Sequence, residues 1–173
     1  MKRIILATLL VGSAAIAAEK TIPVYLLTDD KPAHGIGEKI GTVTFEDSEK
    51  GLVIKPHLKG LSPGEHGFHI HEKASCEGGE KDNKWNPGLA AGGHLDPQHT
   101  GKHLGPYGQG HLGDLPVLVV DKNHQANKAV VAPRLKMADI EGHSIMIHAG
   151  GDNYSDNPPM GGGGARIACG VIN

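Results

Sequence analysis

Short β-rich segments separated by turn residues run through most of this 173-residue chain, and they constrain its fold more than any other feature. Turn signals such as Ser62-Pro63-Gly64 separate them, and long helical periodicity is absent; only 134–140 is compatible with one short helical turn. The eight segments lie at 21–28, 39–46, 51–58, 65–72, 115–120, 129–132, 142–149 and 165–172. The sequence therefore predicts an all-β fold, a sandwich or barrel of about eight strands.

Composition narrows the class of protein further. With 2 Phe, 1 Trp and 3 Tyr, the core of this single domain must be built mainly from Val, Ile, Leu, Ala and Met. Lys and Arg number 17 against 19 Asp and Glu, so no basic tract favours a nucleic-acid partner. No run of 18 apolar residues occurs, so no ordinary membrane span is expected.

The first residues have the pattern of an export signal. Met1-Lys2-Arg3 is a short basic region, 4–11 is apolar, and Ala15-Ile16-Ala17 is a small-residue cleavage pattern. We therefore predict a signal peptide at 1–17 and a mature domain at 18–173. Loss of Lys2 and Arg3 would leave 15 basic against 19 acidic residues, a net charge of −4.

Two connecting segments are longer than the loops of a simple β-sandwich. Residues 73–114 are polar and rich in Gly and His, and residues 150–164 end in four consecutive glycines. Loops of this length in a compact domain are usually functional or disordered. Cys76 lies in the first loop and Cys169 in the last strand, and an exported chain can join them in one disulfide that ties the loop down. Two free buried thiols are the alternative.

Twelve histidines are the compositional feature that demands a chemical explanation. His69 and His71 alternate with Phe68 and Ile70 on a predicted strand, so both imidazoles point to one face. Further along the chain the order is His94, His103, His111 and Asp114, spaced H-x8-H-x7-H-x2-D, which suits a closed tetrahedral zinc site.

One more imidazole, His148, lies on a predicted apolar strand. Six histidines and one aspartate are too many ligands for one four-coordinate ion and about right for two. If one imidazole bridges, each metal has four protein ligands, and an all-nitrogen set on a rigid sheet suits Cu(II).

Together with the motifs around them, these residues resemble the copper/zinc superoxide dismutases, in particular their bacterial periplasmic branch. Residues 64–72 (GEHGFHIHE) resemble the first signature of that family, and residues 161–172 (GGGGARIACGVI) resemble the second. Between them 91–97 (AGGHLDP), 110–116 (GHLGDLP) and 146–152 (MIHAGGD) match in order. The resemblance covers essentially the whole mature chain and implies an eight-stranded Greek-key β-barrel with two long functional loops.

The resemblance assigns a role to each candidate site residue. The copper ligands it implies are His69, His71, His94 and His148. The zinc ligands it implies are His94, which bridges to copper, with His103, His111 and Asp114. Asp152 corresponds to the carboxylate that bonds one imidazole of each metal, and Arg166 to the arginine beside the open copper position. Cys76 and Cys169 correspond to the intrasubunit disulfide.

The activity implied is disproportionation of superoxide to O2 and H2O2, with copper and zinc as cofactors and protection of the exported compartment as the role. His94 would take up and deliver a proton. The acidic mature chain would repel an anionic substrate, so a locally positive channel is needed, and Lys73, Lys81 and Lys84 are candidates to supply it. The family is commonly dimeric and its bacterial branch varies, so a homodimer is possible.

The remaining histidines have simpler interpretations. His34, His57, His99 and His124 lie in polar or turn-like contexts and are predicted to be solvated. His66 and His143 lie near ligands and are predicted either to support them or to be structural. Trp85 and Tyr107 are equally compatible with loop core and with a subunit contact. Two other functions stay open: a non-enzymatic exported metal-binding protein on the same fold, and a cupin-type β-barrel metalloenzyme, which also uses H-x-H on a strand.

Overall fold

The computed structural model describes residues 18–173, so the predicted signal peptide at 1–17 lies outside the described residues. A single four-residue α-helix, α1 (Met137–Ile140), occurs in this part of the chain, within the segment that the sequence allowed one helical turn. Everything else regular is strand or 3-10 turn. In chain order the strands are β1 (Glu19–Leu27), β2 (Ile36–Ser48), β3 (Gly51–Lys59), β4 (Gly64–His66), β5 (Phe68–His71), β6 (Gly79–Lys81), β7 (Lys84–Asn86), β8 (Leu118–Val120), β9 (Gln125–Ala126), β10 (Val130–Ala132), β11 (His143–His148) and β12 (Arg166–Ile172).

One curled antiparallel sheet carries the fold. Its strand order is β10-β3-β2-β1-β12-β11-β5, with β9 also paired to β3, and β4 pairs with β8 in a second small sheet. The first strand therefore lies beside the last, and β5 lies beside β11 although about 70 residues separate them. These long crossovers between antiparallel neighbours are typical of Greek-key connections. The predicted all-β, eight-stranded Greek-key barrel is confirmed.

The predicted strand at 65–72 is wrong as a single element. It breaks at Gly67 into β4 and β5, which pair with different strands. The Gly67 N–H donates to Gly150 O, and the His148 N–H donates to Gly67 O. A Cβ at Gly67 would lie 3.2 Å from the His69 ring and 3.3 Å from His148 Cβ. The break lets the start of the 150–164 loop pass close to β5.

The loop predicted at 73–114 contains a short hairpin that the sequence pattern did not indicate. Strands β6 and β7 pair across Asp82 and Asn83, whose φ angles of 55° and 58° are left-handed. Two left-handed residues match the type I′ turn of tight hairpins. The strands are only three residues long and mostly polar, so their sequence has no hydrophobic alternation to detect.

The core is aliphatic apart from the two phenylalanines. Phe45 on β2 and Phe68 on β5 are fully buried among Leu, Ile and Val side chains of the surrounding strands. The scarcity of aromatic residues is therefore compatible with a closed interior, as expected. Among residues 18–173, no helix is long and apolar enough to cross a membrane.

A disulfide fastens the first long loop to the last strand. Cys76 and Cys169 are bonded and 93 residues apart in sequence, and both are buried against Ala91 and Met146. The predicted pairing is confirmed, and the alternative of two free thiols is wrong.

Candidate metal centre

Two strands and one loop bring the first histidine cluster together. His69 and His71 project from β5, and β11 pairs alongside and ends at His148. An isolated bridge between His71 and His94 places the loop imidazole next to the strand pair. One ring nitrogen from each of these residues lies within 4.8 Å of those of the others, and all four residues are buried. They are the four predicted copper ligands.

A second cluster adjoins the first. Ligand atoms of His69, His94, His103 and Asp114 also lie within 4.8 Å of one another. His111 belongs to the same region, because its Nδ1 is 3.4 Å from Asp114 Oδ1. The predicted zinc set is thus assembled around the Asp114 carboxylate, and the two clusters meet where the rings of His69 and His94 stack at 3.9 Å.

Unpartnered ring nitrogens show that these residues fit metal ions. Among residues 18–173, five of the six buried side-chain polar atoms without a hydrogen bond belong to the clusters: His69 Nδ1, His71 Nε2, His148 Nε2, His103 Nδ1 and His111 Nδ1. Buried polar atoms are rarely left unsatisfied, so each exception needs an explanation. His103 Nδ1 lies 3.0 Å from Asp114 Oδ1, at ion-pair distance but not in line for a hydrogen bond. Nitrogen and oxygen atoms that converge in this way suit a shared cation.

The opposite nitrogen of most of these rings is held by an acceptor. The Nδ1–H of His71 donates to Gly92 O at 3.1 Å, and that of His148 donates to Gly164 O at 3.1 Å. Metal-binding imidazoles normally donate their second N–H in this manner, which fixes the tautomer and the ring orientation. The free nitrogen is therefore the one that faces the cluster.

Asp152 links the two clusters by accepting hydrogen bonds from one histidine of each. Its Oδ2 accepts from His69 Nε2 and its Oδ1 from His103 Nε2, each at 2.7 Å. Because Asp152 occupies His69 Nε2, that ring has only Nδ1 left for a metal. His94 differs: its Nδ1 lies 3.0 Å from Asp114 Oδ1, on the side of the second cluster, which leaves Nε2 for the first. The two ring nitrogens of His94 therefore face different clusters.

Burial keeps the imidazoles of the first cluster neutral. Burial lowers the pKa of His69 to about 3 and that of His148 to about 4, and it holds the pKa of His71 well below 6.5. The neighbouring ring of His94 lowers all three further. At neutral pH these rings carry no extra proton, so their lone pairs are available to a metal.

The second cluster has the opposite electrostatics. Burial raises the pKa of the Asp114 carboxyl, but the three adjacent imidazoles outweigh burial and hold that pKa far below its usual range. Burial also lowers the pKa of His103, yet the carboxylates of Asp114 and Asp152 raise it to about 9. Without a metal, His103 is therefore a cation between two carboxylates.

If the second cluster holds zinc, as the resemblance implies, zinc binding to the metal-free protein is expected to release about one proton per ion at pH 7, because the His103 Nδ1 proton would have to leave. His103 is protonated below its pKa of about 9. Between pH 7 and the His103 pKa, zinc affinity should therefore rise by about tenfold per pH unit. Above that pKa it should level off, because no proton remains to be displaced. Titration calorimetry in buffers of different ionisation enthalpy measures the release. Copper binding to the first cluster is the matched comparison and should release no proton from those neutral rings. Equal proton release by the two metals would contradict a protonated His103 in the second cluster.

Arg166 lies beside the first cluster and is partly exposed to solvent. Its two terminal nitrogens donate to Gly88 O and Gly92 O, and Gly92 O also accepts from His71. A cavity of about 530 Å³ lies beside it, lined by Arg166, Lys81, Asn86 and Asp29 among others. Of the three lysines proposed to attract an anion, Lys81 lines this cavity. Lys73 and Lys84 are exposed outside its lining.

The glycine run at 161–164 lets the backbone approach the clusters. A Cβ at Gly161 would lie 2.0 Å from Asp152 Oδ1 and 2.8 Å from His103 Nε2, and one at Gly163 would lie 3.2 Å from His148. Any side chain at these positions would displace the groups that orient the ligands.

The other histidines lie as the sequence indicated. His34, His57, His99 and His124 are exposed. His66 is buried, with its Nδ1 2.7 Å from His148 O, and the Nδ1–H of His143 donates to Glu72 O. Both therefore contact a ligand or its strand.

The two scarce loop aromatics differ from each other. Trp85 is half-buried and donates to Thr28 O at 3.4 Å, so it belongs to the local loop core. Tyr107 is 73% exposed and contributes little to any core.

Sequence reasoning missed two residues of the 150–164 loop that brace the second cluster. Asp156 Oδ1 accepts from the His103 backbone N–H at 3.0 Å, and Tyr154 Oη accepts from the Val117 N–H at 2.9 Å. Neither belongs to a ligand-spacing motif. Only the docking of the two loops on each other shows their contacts.

A family model, a related sequence and two solved structures that match this chain all indicate the same family. The model of the family described as copper/zinc superoxide dismutase (SODC) matches residues 39–172. The chain is 56% identical to "Superoxide dismutase [Cu-Zn] 2" of Salmonella typhimurium over 99% of both chains. A copper/zinc superoxide dismutase structure from Brucella abortus superposes with a TM-score of 0.86 at 50% identity, covering 90% of this chain and 100% of that one. The solution structure of the monomeric copper, zinc superoxide dismutase from Salmonella enterica gives 0.79 at 54% identity, with the same coverage.

Proposed function

Because this chain belongs to the copper/zinc superoxide dismutase family, we propose that its two histidine clusters hold one copper and one zinc ion joined by His94, and that superoxide is disproportionated there. The proposed copper ligands are His69, His71, His94 and His148, and the proposed zinc ligands are His94, His103, His111 and Asp114. Family membership leaves no support for a cupin-type enzyme.

The observation that carries this assignment is the set of unpartnered ring nitrogens. They converge in two groups, while the second nitrogens of His69, His71, His103 and His148 are held by acceptors. An array of neutral imidazoles suits copper, and a closed set that includes one carboxylate suits zinc. His94 is the one imidazole whose two nitrogens face different groups.

Copper bound by the first cluster would supply the one-electron oxidation and reduction of superoxide, whereas zinc is redox-inert. The residues of the chain would bind the superoxide anion and transfer protons. Arg166 presents a fixed cation and a fork of N–H donors to the anion, and its bonds to Gly88 O and Gly92 O hold that fork in place. His94 Nε2 is the atom we assign to hold a proton in the half of the cycle in which it would not be bound to copper, and to deliver that proton to the product in the other half.

Replacing Arg166 with Met is expected to lower kcat/KM for superoxide by about 10- to 150-fold, because a charge-assisted contact with the anion is lost. Arg166→Lys keeps the charge without the fork and should recover only part of the rate. Lys50→Met, an exposed cation in the β2–β3 turn, is the control for net charge. Pulse radiolysis at several ionic strengths measures the rates, and an Arg166→Met rate equal to the control's would remove Arg166 from the mechanism.

Metal analysis together with superoxide consumption tests the function as a whole. One copper and one zinc per chain with cyanide-sensitive turnover is the expected result. Full metal loading without turnover would instead favour the non-enzymatic metal-binding protein on this fold.

We also propose that the protein is exported to the periplasm, where it protects against superoxide. The basic start of the chain, its apolar stretch and the small residues up to Ala17 support this, and the matched relatives are bacterial. The mass of the protein recovered from the periplasm would give the cleavage position. A homodimer stays a prediction that sedimentation would test; the description as monomeric belongs to the Salmonella enterica protein.

A further inference from the structure

Tyr154 connects the 150–164 loop to the segment that carries the proposed zinc ligands, which we call the zinc segment (94–117). Its phenolic oxygen accepts a hydrogen bond from the Val117 N–H at 2.9 Å, across 37 residues of sequence. Val117 lies three residues after Asp114, just before β8. The side chain therefore fixes the end of the zinc segment.

The ring of Tyr154 packs on a second point of the same segment. A Cβ at Gly105 would lie 2.6 Å from both Cβ and Cγ of Tyr154, so the ring occupies the space that a side chain at 105 would need. The Gly105 N–H donates to Asp114 Oδ2 at 3.2 Å. The ring thus packs against the peptide group that holds the zinc-ligand carboxylate in place.

The backbone of Tyr154 makes the third contact. Its N–H donates to Asp152 Oδ1 at 2.8 Å, the same oxygen that accepts from His103 Nε2. The φ of Tyr154 is 56°, a left-handed conformation that non-glycine residues adopt at a conformational cost. The surrounding contacts maintain it, and in that conformation one residue reaches both Asp152 and the zinc segment.

We propose that Tyr154 is a positioning residue for zinc: by bracing Asp152 on one side and the Gly105–Asp114 contact on the other, it slows the release of zinc. This inference rests on the proposed function, because it takes His103 and Asp114 as zinc ligands. It goes beyond the ligand set by adding a residue that touches neither metal position. Groups that support metal ligands commonly alter metal affinity by about 10- to 100-fold when removed.

The two parts of the side chain have separable roles. Tyr154→Phe keeps the ring over Gly105 and removes only the acceptor for Val117. Tyr154→Ala removes the ring as well. If the ring provides most of the bracing, the phenylalanine variant should stay close to wild type and the alanine variant should not.

Tyr107 offers a matched control within the zinc segment itself. It is 73% exposed and is the other tyrosine near this surface. Tyr107→Ala removes the same number of atoms without disturbing the contacts to Asp152, Gly105 or Val117.

The experiment measures zinc transfer from the copper- and zinc-loaded enzyme to a chromogenic chelator. We expect Tyr154→Ala to release zinc about 10- to 100-fold faster than wild type, Tyr154→Phe up to about fivefold faster, and Tyr107→Ala at the wild-type rate. A second readout is the visible spectrum of enzyme with cobalt in the zinc position, which reports ligand geometry. We expect its bands to shift in Tyr154→Ala while those of Tyr107→Ala do not.

Two outcomes would overturn the inference: zinc release from Tyr154→Ala within twofold of wild type, or equal acceleration in Tyr107→Ala. If Tyr154→Ala does not fold, Tyr154→Leu replaces it, because leucine removes both the aromatic ring and the hydroxyl while keeping an apolar side chain. Zinc release from Tyr154→Leu within twofold of wild type, with an unchanged cobalt spectrum, would overturn the inference. Failure of the wild-type protein itself to bind one zinc is a different result, because it would contradict the proposed function rather than the role of Tyr154.

Discussion

Replacing His94 with Ala is expected to weaken the binding of both metals and to abolish dismutase activity. His94 is the ring whose Nδ1 approaches Asp114 while Nε2 is left for the cluster on β5 and β11. Its removal takes one ligand from each proposed ion. The loss of affinity for each metal should exceed the 10- to 100-fold cost of losing a supporting group, and kcat/KM should fall by at least as much. Elemental analysis and a superoxide-consumption assay measure the two effects.

Comparison with His103→Ala makes the test of the bridge specific. His103 lies in the second cluster only, so this variant should lose zinc and retain copper. His57→Ala, on the exposed face of β3, is the control for the loss of an imidazole and should keep both metals. A His94→Ala protein that retained zinc at the wild-type affinity would show that His94 does not join the sites.

Replacing Cys76 and Cys169 together by Ser is expected to lower the free energy of unfolding by about 2–5 kcal/mol. The bond closes a loop of 93 residues, and closure of a long loop restricts the unfolded chain strongly. The paired replacement avoids leaving one reactive thiol. Guanidinium unfolding of the oxidised wild type and the double variant, at equal metal content, gives the difference.

The denaturant dependence provides an internal check on this prediction. An unfolded chain without the cross-link is more extended, so the m-value should increase in the double variant. Wild type treated with a reductant should reproduce both changes. A double variant that lost less than about 1 kcal/mol would mean that packing around Ala91 and Met146, rather than the cross-link, holds the loop to β12.

Much of the fold was predictable because its signals are local. Periodic apolar residues at 39–46 and 51–58 correspond to β2 and β3, and the polar, glycine-rich composition of 150–164 indicated a loop. The errors also have local causes. The strand predicted at 65–72 divides at Gly67 because another part of the chain passes there, and β6 and β7 are too short and polar to show a pattern.

The proposed site was predictable to the extent that its residues occur in spaced motifs. His69 and His71 share a face because strand side chains alternate, and the spacing of His94, His103, His111 and Asp114 marks one metal-binding loop. Tyr154 and Asp156 could not be found in this way. Their partners, Val117 and the His103 backbone, lie 37 and 53 residues away in sequence, so no spacing rule links them.

Periodicity, residue type and residue count were enough to predict the fold class, the candidate ligands and the one possible cysteine pairing. Three properties of the site required the folded chain: which nitrogen of each ring is free, the neutrality of buried His69 and His148, and the charge that Asp114 and Asp152 maintain on His103 without a metal. Those properties depend on desolvation and on the distances between groups remote in sequence. They arise when β5, β11 and the two loops pack together.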